Sequence, residues 1–199
     1  MINSGAGLTL TNDIIGAERH TSVRANFAYF LSVSKRYKIG FGLAGGIVNT
    51  SVDGTKLTTP QGSDNFLPEK KVGLIRPDLA LGVYVKSKEL EIGLSYNGLT
   101  TKGDIEGVAS TLETKYGSYL NLYGSYRIVI KNNFGLEPSM LMRTDFKKWQ
   151  TDIGLLFDYK NYIFTGVYFR GYNNLSIDAL YASVGFKPVG DFIIFYSYD

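Results

Sequence analysis

At 199 residues, 44% of them hydrophobic and 20% charged, the chain is long enough for one all-β domain and ordinary in overall polarity. The 15 Tyr, 12 Phe and 23 Gly, set against a single Trp and no Cys, favour aromatic-rich strands over helices and exclude a disulfide framework. A formal net charge of +3, with no run of basic residues, excludes a nucleic-acid surface, and the absence of an apolar run near the roughly 20 residues of a membrane helix leaves only strands as spanning elements. The opening MINSGAGLTL also lacks the charged-then-apolar order of a secretory signal.

In chain order, Gly5 to Thr11 reads as a first strand and Asn12 to His20 as a polar loop. Thr21 to Val48 then alternates at period two on both sides of a Ser34-Lys35-Arg36 turn. Val23, Ala25, Phe27, Tyr29 and Leu31 share one face with Phe41, Leu43 and Ile47, while Arg24, Asn26, Lys38, Gly40 and Gly42 take the other. Asn49 to Arg76 is polar and carries turn signals at Asp53-Gly54, Thr59-Pro60 and Gly62-Ser63-Asp64. Strands resume over Pro77 to Val85 and Leu90 to Asn97, and a second long loop covers Gly98 to Gly117. Three hairpins follow: Ser118 to Ile130 with Phe134 to Arg143, Thr151 to Tyr159 with Ile163 to Arg170, and Ile177 to Lys187 with Phe192 to Asp199.

These are about eleven strands, joined alternately by short turns and longer loops, as in an antiparallel up-and-down transmembrane β-barrel with short periplasmic turns. Period two does not itself say which face is covered, since a lipocalin-like barrel alternates with its apolar side inward. The polar face decides for the membrane form. It is rich in Gly and carries Lys38, Glu91, Arg127, Glu137, Asp152 and Arg170, whereas the apolar face carries no charge. Tyr37, Phe134, Tyr159 and Phe192 also sit beside the short turns, where an interfacial girdle belongs.

The segments GLTLTNDIIG, NFAYFLSVSKRYKIGFGLAGGI, PDLALGVYVKSKELEIGLSYNGL, EPSMLMR, DIGLLFDYKNYIFTGVYFRG and VGFKPVGDFIIFYSYD resemble, in order and spacing, the PorP/SprF family of the type IX secretion system of Bacteroidota. The resemblance implies a protein of the cell outer membrane that works with the secretion and gliding-motility machinery. It further implies partners: secreted adhesins whose C-terminal sorting domains it helps secrete or attach, periplasmic components of the same system, and outer-membrane lipid. A diffusion porin or hydrophobic-solute channel is the alternative that the barrel pattern alone permits.

Catalytic and cofactor chemistry finds little support. Gly40, Gly42 and Gly45 spell GxGxxG, but inside an alternating strand rather than between a strand and a helix, so they read as room for Phe30 or a plug. His20 is the one histidine, and with no Cys the usual zinc ligand sets are excluded. Asp152 and Asp158 are separated by about 20 Å along one strand, too far for a two-carboxylate hydrolase. The expectation is a non-enzymatic protein without a cofactor.

Two further expectations come from strand arithmetic. With the first loop external, the eleventh strand ends outside at Asp199, while a closed bacterial barrel has an even strand number and both ends periplasmic. Residues 1–199 are therefore read as a single domain that is part of a barrel of about fourteen strands, lacking a signal and first strands before residue 1 and further strands after Asp199. Keeping like faces together about Lys131 to Asn133 opposes Arg127 to Glu137, and the same count about Lys160 to Tyr162 opposes Asp152 to Arg170. Both are read as structural ion pairs in the lumen.

Overall fold

The structure is a computed structural model and describes residues 3–56, 70–100, 118–131, 133–172, 176–190 and 192–198. Among the described residues twelve strands follow one another: β1 (Ser4–Ile15), β2 (Glu18–Ser32), β3 (Lys38–Asp53), β4 (Lys71–Lys86), β5 (Leu90–Asn97), β6 (Tyr119–Tyr126), β7 (Ile128–Lys131), β8 (Phe134–Thr144), β9 (Trp149–Tyr159), β10 (Ile163–Tyr172), β11 (Ser176–Val189) and β12 (Phe192–Tyr198). They form one antiparallel up-and-down sheet in sequence order, except that β7 pairs only with β8. Among the described residues the one helical element is a 3-10 turn at Gly54–Lys56, and no helix is long and apolar enough to cross a membrane.

By their contacts the strands divide into two compact units. The first holds the described parts of Met1–Tyr29, Gly42–Leu81 and Tyr96–Ser118. Here the segment expected as a loop from Asn12 to His20 is strand instead, with Asn12 opposite Thr21 and Asp13 opposite His20. Its polarity misleads because its side chains satisfy one another across the ladder: Thr21 Oγ1 donates to Asn12 Oδ1 at 3.0 Å. The real turn is only Gly16-Ala17, with Gly16 at φ 60, where a two-residue hairpin turn favours glycine. Gly46 marks a close approach, since a Cβ there would collide with the Val23 carbonyl oxygen of β2.

The second unit holds the described parts of Phe30–Phe41, Gly82–Ser95 and Tyr119–Asp199. The strand expected from Ser118 to Ile130 is broken at Arg127 into β6 and β7, which raises the count to twelve. Lys160 and Asn161, at φ 55 and 53, fill the two central positions of a type I′ turn closed by Tyr162 N donating to Tyr159 O at 2.9 Å. On the apolar face beside these turns Phe134 packs on Tyr159, ring centroids 5.0 Å apart.

Burial runs opposite to that of a protein with an oily interior. Ile75 is 63% exposed and its neighbour Arg76 only 4%; Leu79 and Leu81 are exposed while Asp78 is fully buried. Among the described residues just four hydrophobic side chains are buried (Val48, Val52, Ala80 and Phe164) against eleven polar or charged ones, so the covered face is the polar one. A bare apolar face on this scale is far beyond the patches that a monomer in water exposes.

Candidate functional site

The polar face carries charge pairs that link its strands. In the first unit Arg24 Nε donates to Asp78 Oδ2 at 2.5 Å, with the Asp78 side chain fully buried. His20 belongs to the same unit, its Nδ1 3.2 Å from Thr50 Oγ1 and its Nε2 3.5 Å from Glu18. Among the described residues no group of His, Asp and Glu is placed to hold a metal ion. Gly40, within the GxGxxG string, lies in β3 under the Phe30 ring, and a Cβ there would stand 2.8 Å from that ring.

In the second unit Asp152 and Arg170 stand opposite each other on β9 and β10, with Arg170 Nε 3.4 Å from Asp152 Oδ1. The Arg170 guanidinium also lies over the Tyr181 ring, which stacks on Tyr168 at 4.9 Å. Tyr168 in turn covers Gly154 and Gly166, where any Cβ would meet its ring. Arg127 and Glu137 do not make the matching pair, since Arg127 pairs with Asp158 instead. Ser125↔Ser139 and Ile128↔Leu136 keep one register on either side of the break, which sets Arg127 across from Glu137. Its guanidinium is nevertheless directed one strand further, Nη2 donating to Asp158 Oδ2 at 2.8 Å and to Asn161 Oδ1 at 2.7 Å. Gly135 is the reason: it faces Asp158 in the ladder, and its missing side chain lets the Asp158 carboxylate lie over β8.

At the short-turn end of this unit lies a pocket of about 440 Å³. Two turns with kindred sequences, Ser34-Lys35-Arg36-Tyr37-Lys38-Ile39 and Ser87-Lys88-Glu89-Leu90-Glu91-Ile92, build it. Each opens with a serine that caps the turn: Ser34 Oγ accepts from Arg36 N and Tyr37 N, and Ser87 Oγ from Glu89 N and Leu90 N. Arg36 reaches across to Glu89 at 3.3 Å, and Lys86 Nζ sits 2.5 Å from Glu91, which also accepts from the Tyr84 hydroxyl. The backbone N–H of Arg127 donates to Glu89 O at 2.7 Å, which ties the strand break to the second turn. Lys35, Lys38 and Lys88 line the pocket and make no ion pair among the described residues. The repeated Ser-Lys pattern was the available signal for this pocket, but only the sheet brings its two copies side by side.

A family model described as type IX secretion system membrane protein PorP/SprF matches residues 2–199. The chain has no match among curated proteins.

Proposed function

Since the chain belongs to the PorP/SprF family of type IX secretion membrane proteins, we propose that it is an outer-membrane β-barrel component of the secretion and gliding machinery that helps secrete or attach surface adhesins. The observation that supports the membrane part of this reading is the inverted burial, with Leu43, Ile75 and Leu94 bare and Arg76 and Asp78 covered. Such a sheet suits hydrocarbon on its apolar side, where every backbone group must find a partner within the sheet. The short turns would then face the periplasm, where they meet the periplasmic parts of the machine, and the role is one of binding and passage rather than catalysis. Deleting the gene and measuring adhesins on the cell surface tests it, together with co-purification of adhesin sorting domains or periplasmic components on the tagged protein. Loss of surface adhesin and recovery of those partners is the expected result. Undiminished surface adhesin together with solute-selective conductance in planar bilayers would overturn it in favour of a porin.

A further inference from the structure

We infer that the pocket between the Ser34 and Ser87 turns binds an acidic peptide segment of a protein partner. Three observations carry this. Lys35, Lys38 and Lys88 line one cavity and make no ion pair among the described residues, although Arg36 and Lys86 in the same wall each make one. The lining carries six Lys and Arg side chains against the three carboxylates of Glu89, Glu91 and Glu137, and such an excess of one sign in a cleft concentrates the opposite sign. The volume of about 440 Å³ falls in the range of ligand pockets and accommodates a few residues of extended chain.

The lining also says which anion. Lys38, Lys86 and Ser125 lie on the polar face, opposite Phe41, Val83 and Leu122, so this part of the pocket opens away from the apolar side. Glu137 shares the wall, and a dense phosphate dianion beside it would meet repulsion, whereas a peptide offers separated single charges and N–H groups that Glu137 can accept from. Lysine ammonium groups on flexible stems suit such spaced carboxylates, where a phosphate site more often uses an arginine fork.

Binding of the peptide stands on the pocket itself, while its source in the periplasm rests on the proposed orientation. The test therefore has two arms. In the first, the detergent-purified full chain is titrated against a short fluorescein-labelled Glu/Gly peptide, with the Gln/Gly peptide as neutral probe, and anisotropy is read. The acidic probe is expected to bind about tenfold more tightly at low salt, an advantage that high salt abolishes. The triple variant Lys35→Gln/Lys38→Gln/Lys88→Gln should lose that advantage and the matching triple Lys→Arg variant keep it; strand circular dichroism verifies that both are folded. Equal binding of the two probes, or an unaffected triple Gln variant, overturns the inference, and displacement of the probe by inorganic phosphate at lower concentration than by acetate overturns the carboxylate assignment. In the second arm Lys88→Cys, in a chain that has no other cysteine, is exposed to an impermeant maleimide. Labelling only after the outer membrane is opened supports a periplasmic partner, and labelling in intact cells overturns that location while leaving the first arm's result in place.

Discussion

Asp78 is fully buried with Arg24 Nε at 2.5 Å, and a carboxylate in that position depends on its partner far more than a surface one does. Arg24→Ala is therefore expected to cost about 3 to 5 kcal/mol in urea unfolding from lipid vesicles, while the double change Arg24→Met/Asp78→Leu costs less, because no charge is left buried. An exposed group behaves differently. Asp145, in the turn between β8 and β9, accepts from Lys148 N at 2.7 Å and Lys147 N at 2.9 Å, and these hydrogen bonds hold its carboxyl below the usual carboxylate range. Its pKa is thus lower in the folded turn than in the unfolded chain, near 3.9. The stabilisation is complete above that unfolded value and is lost as pH falls through the lower, folded one. Hydrogen-exchange protection of the Lys147 and Lys148 amides should decline across that acid window in the native chain and show no such step in Asp145→Asn. The residue scale is also where the sequence was least legible: the destination of Arg127 depends on Gly135 and Asp158, two residues that adjoin only once β8 and β9 are paired.

Strand pairing gives the glycines unequal weight. A Cβ at Gly46 would strike the Val23 carbonyl and come within 2.8 Å of the Arg24 Cα, so β2 and β3 must part to admit it, whereas nothing lies within 4 Å of a Cβ at Gly124. Gly46→Ala is expected to lower stability by about 1 to 3 kcal/mol or more, as overpacking against backbone does, and Gly124→Ala to leave the urea midpoint within experimental scatter. Most elements could be read from alternation alone, because within a strand one face is largely apolar, as at Val23, Leu43, Leu81, Leu155 and Ile194. What alternation could not supply was where strands end. Asn12, Asp13, Arg19 and His20 are loop-like in composition yet lie in the β1–β2 ladder, and Arg127 interrupts a segment whose pattern never breaks. By contrast, the opposition of Asp152 to Arg170 follows from counting back from Tyr159↔Ile163, since no bulge intervenes in that pair of strands.

For the molecule as a whole, the sign of a mutation depends on the face it falls on. Leu43 is 58% exposed, and on the proposed reading it meets hydrocarbon. Leu43→Arg should therefore cost about 2 to 4 kcal/mol near the midplane, seen as loss of membrane-integrated protein in carbonate-washed fractions, whereas Leu43→Phe keeps normal integration; equal integration of both would tell against lipid contact. The scarcity of buried hydrophobic side chains, Val48, Val52, Ala80 and Phe164 among the described residues, also bears on how the chain reaches this state. A chain in water ordinarily condenses around oil-like groups that end up inside, but here the groups that would drive such condensation end up on the bare face. Any collapse before the membrane is met would gather Phe27, Phe41, Leu79 and Leu94 into a cluster that must later be turned inside out. The productive route is then one in which neighbouring hairpins zip in chain order while their apolar sides are already occupied by lipid or by a holding chaperone.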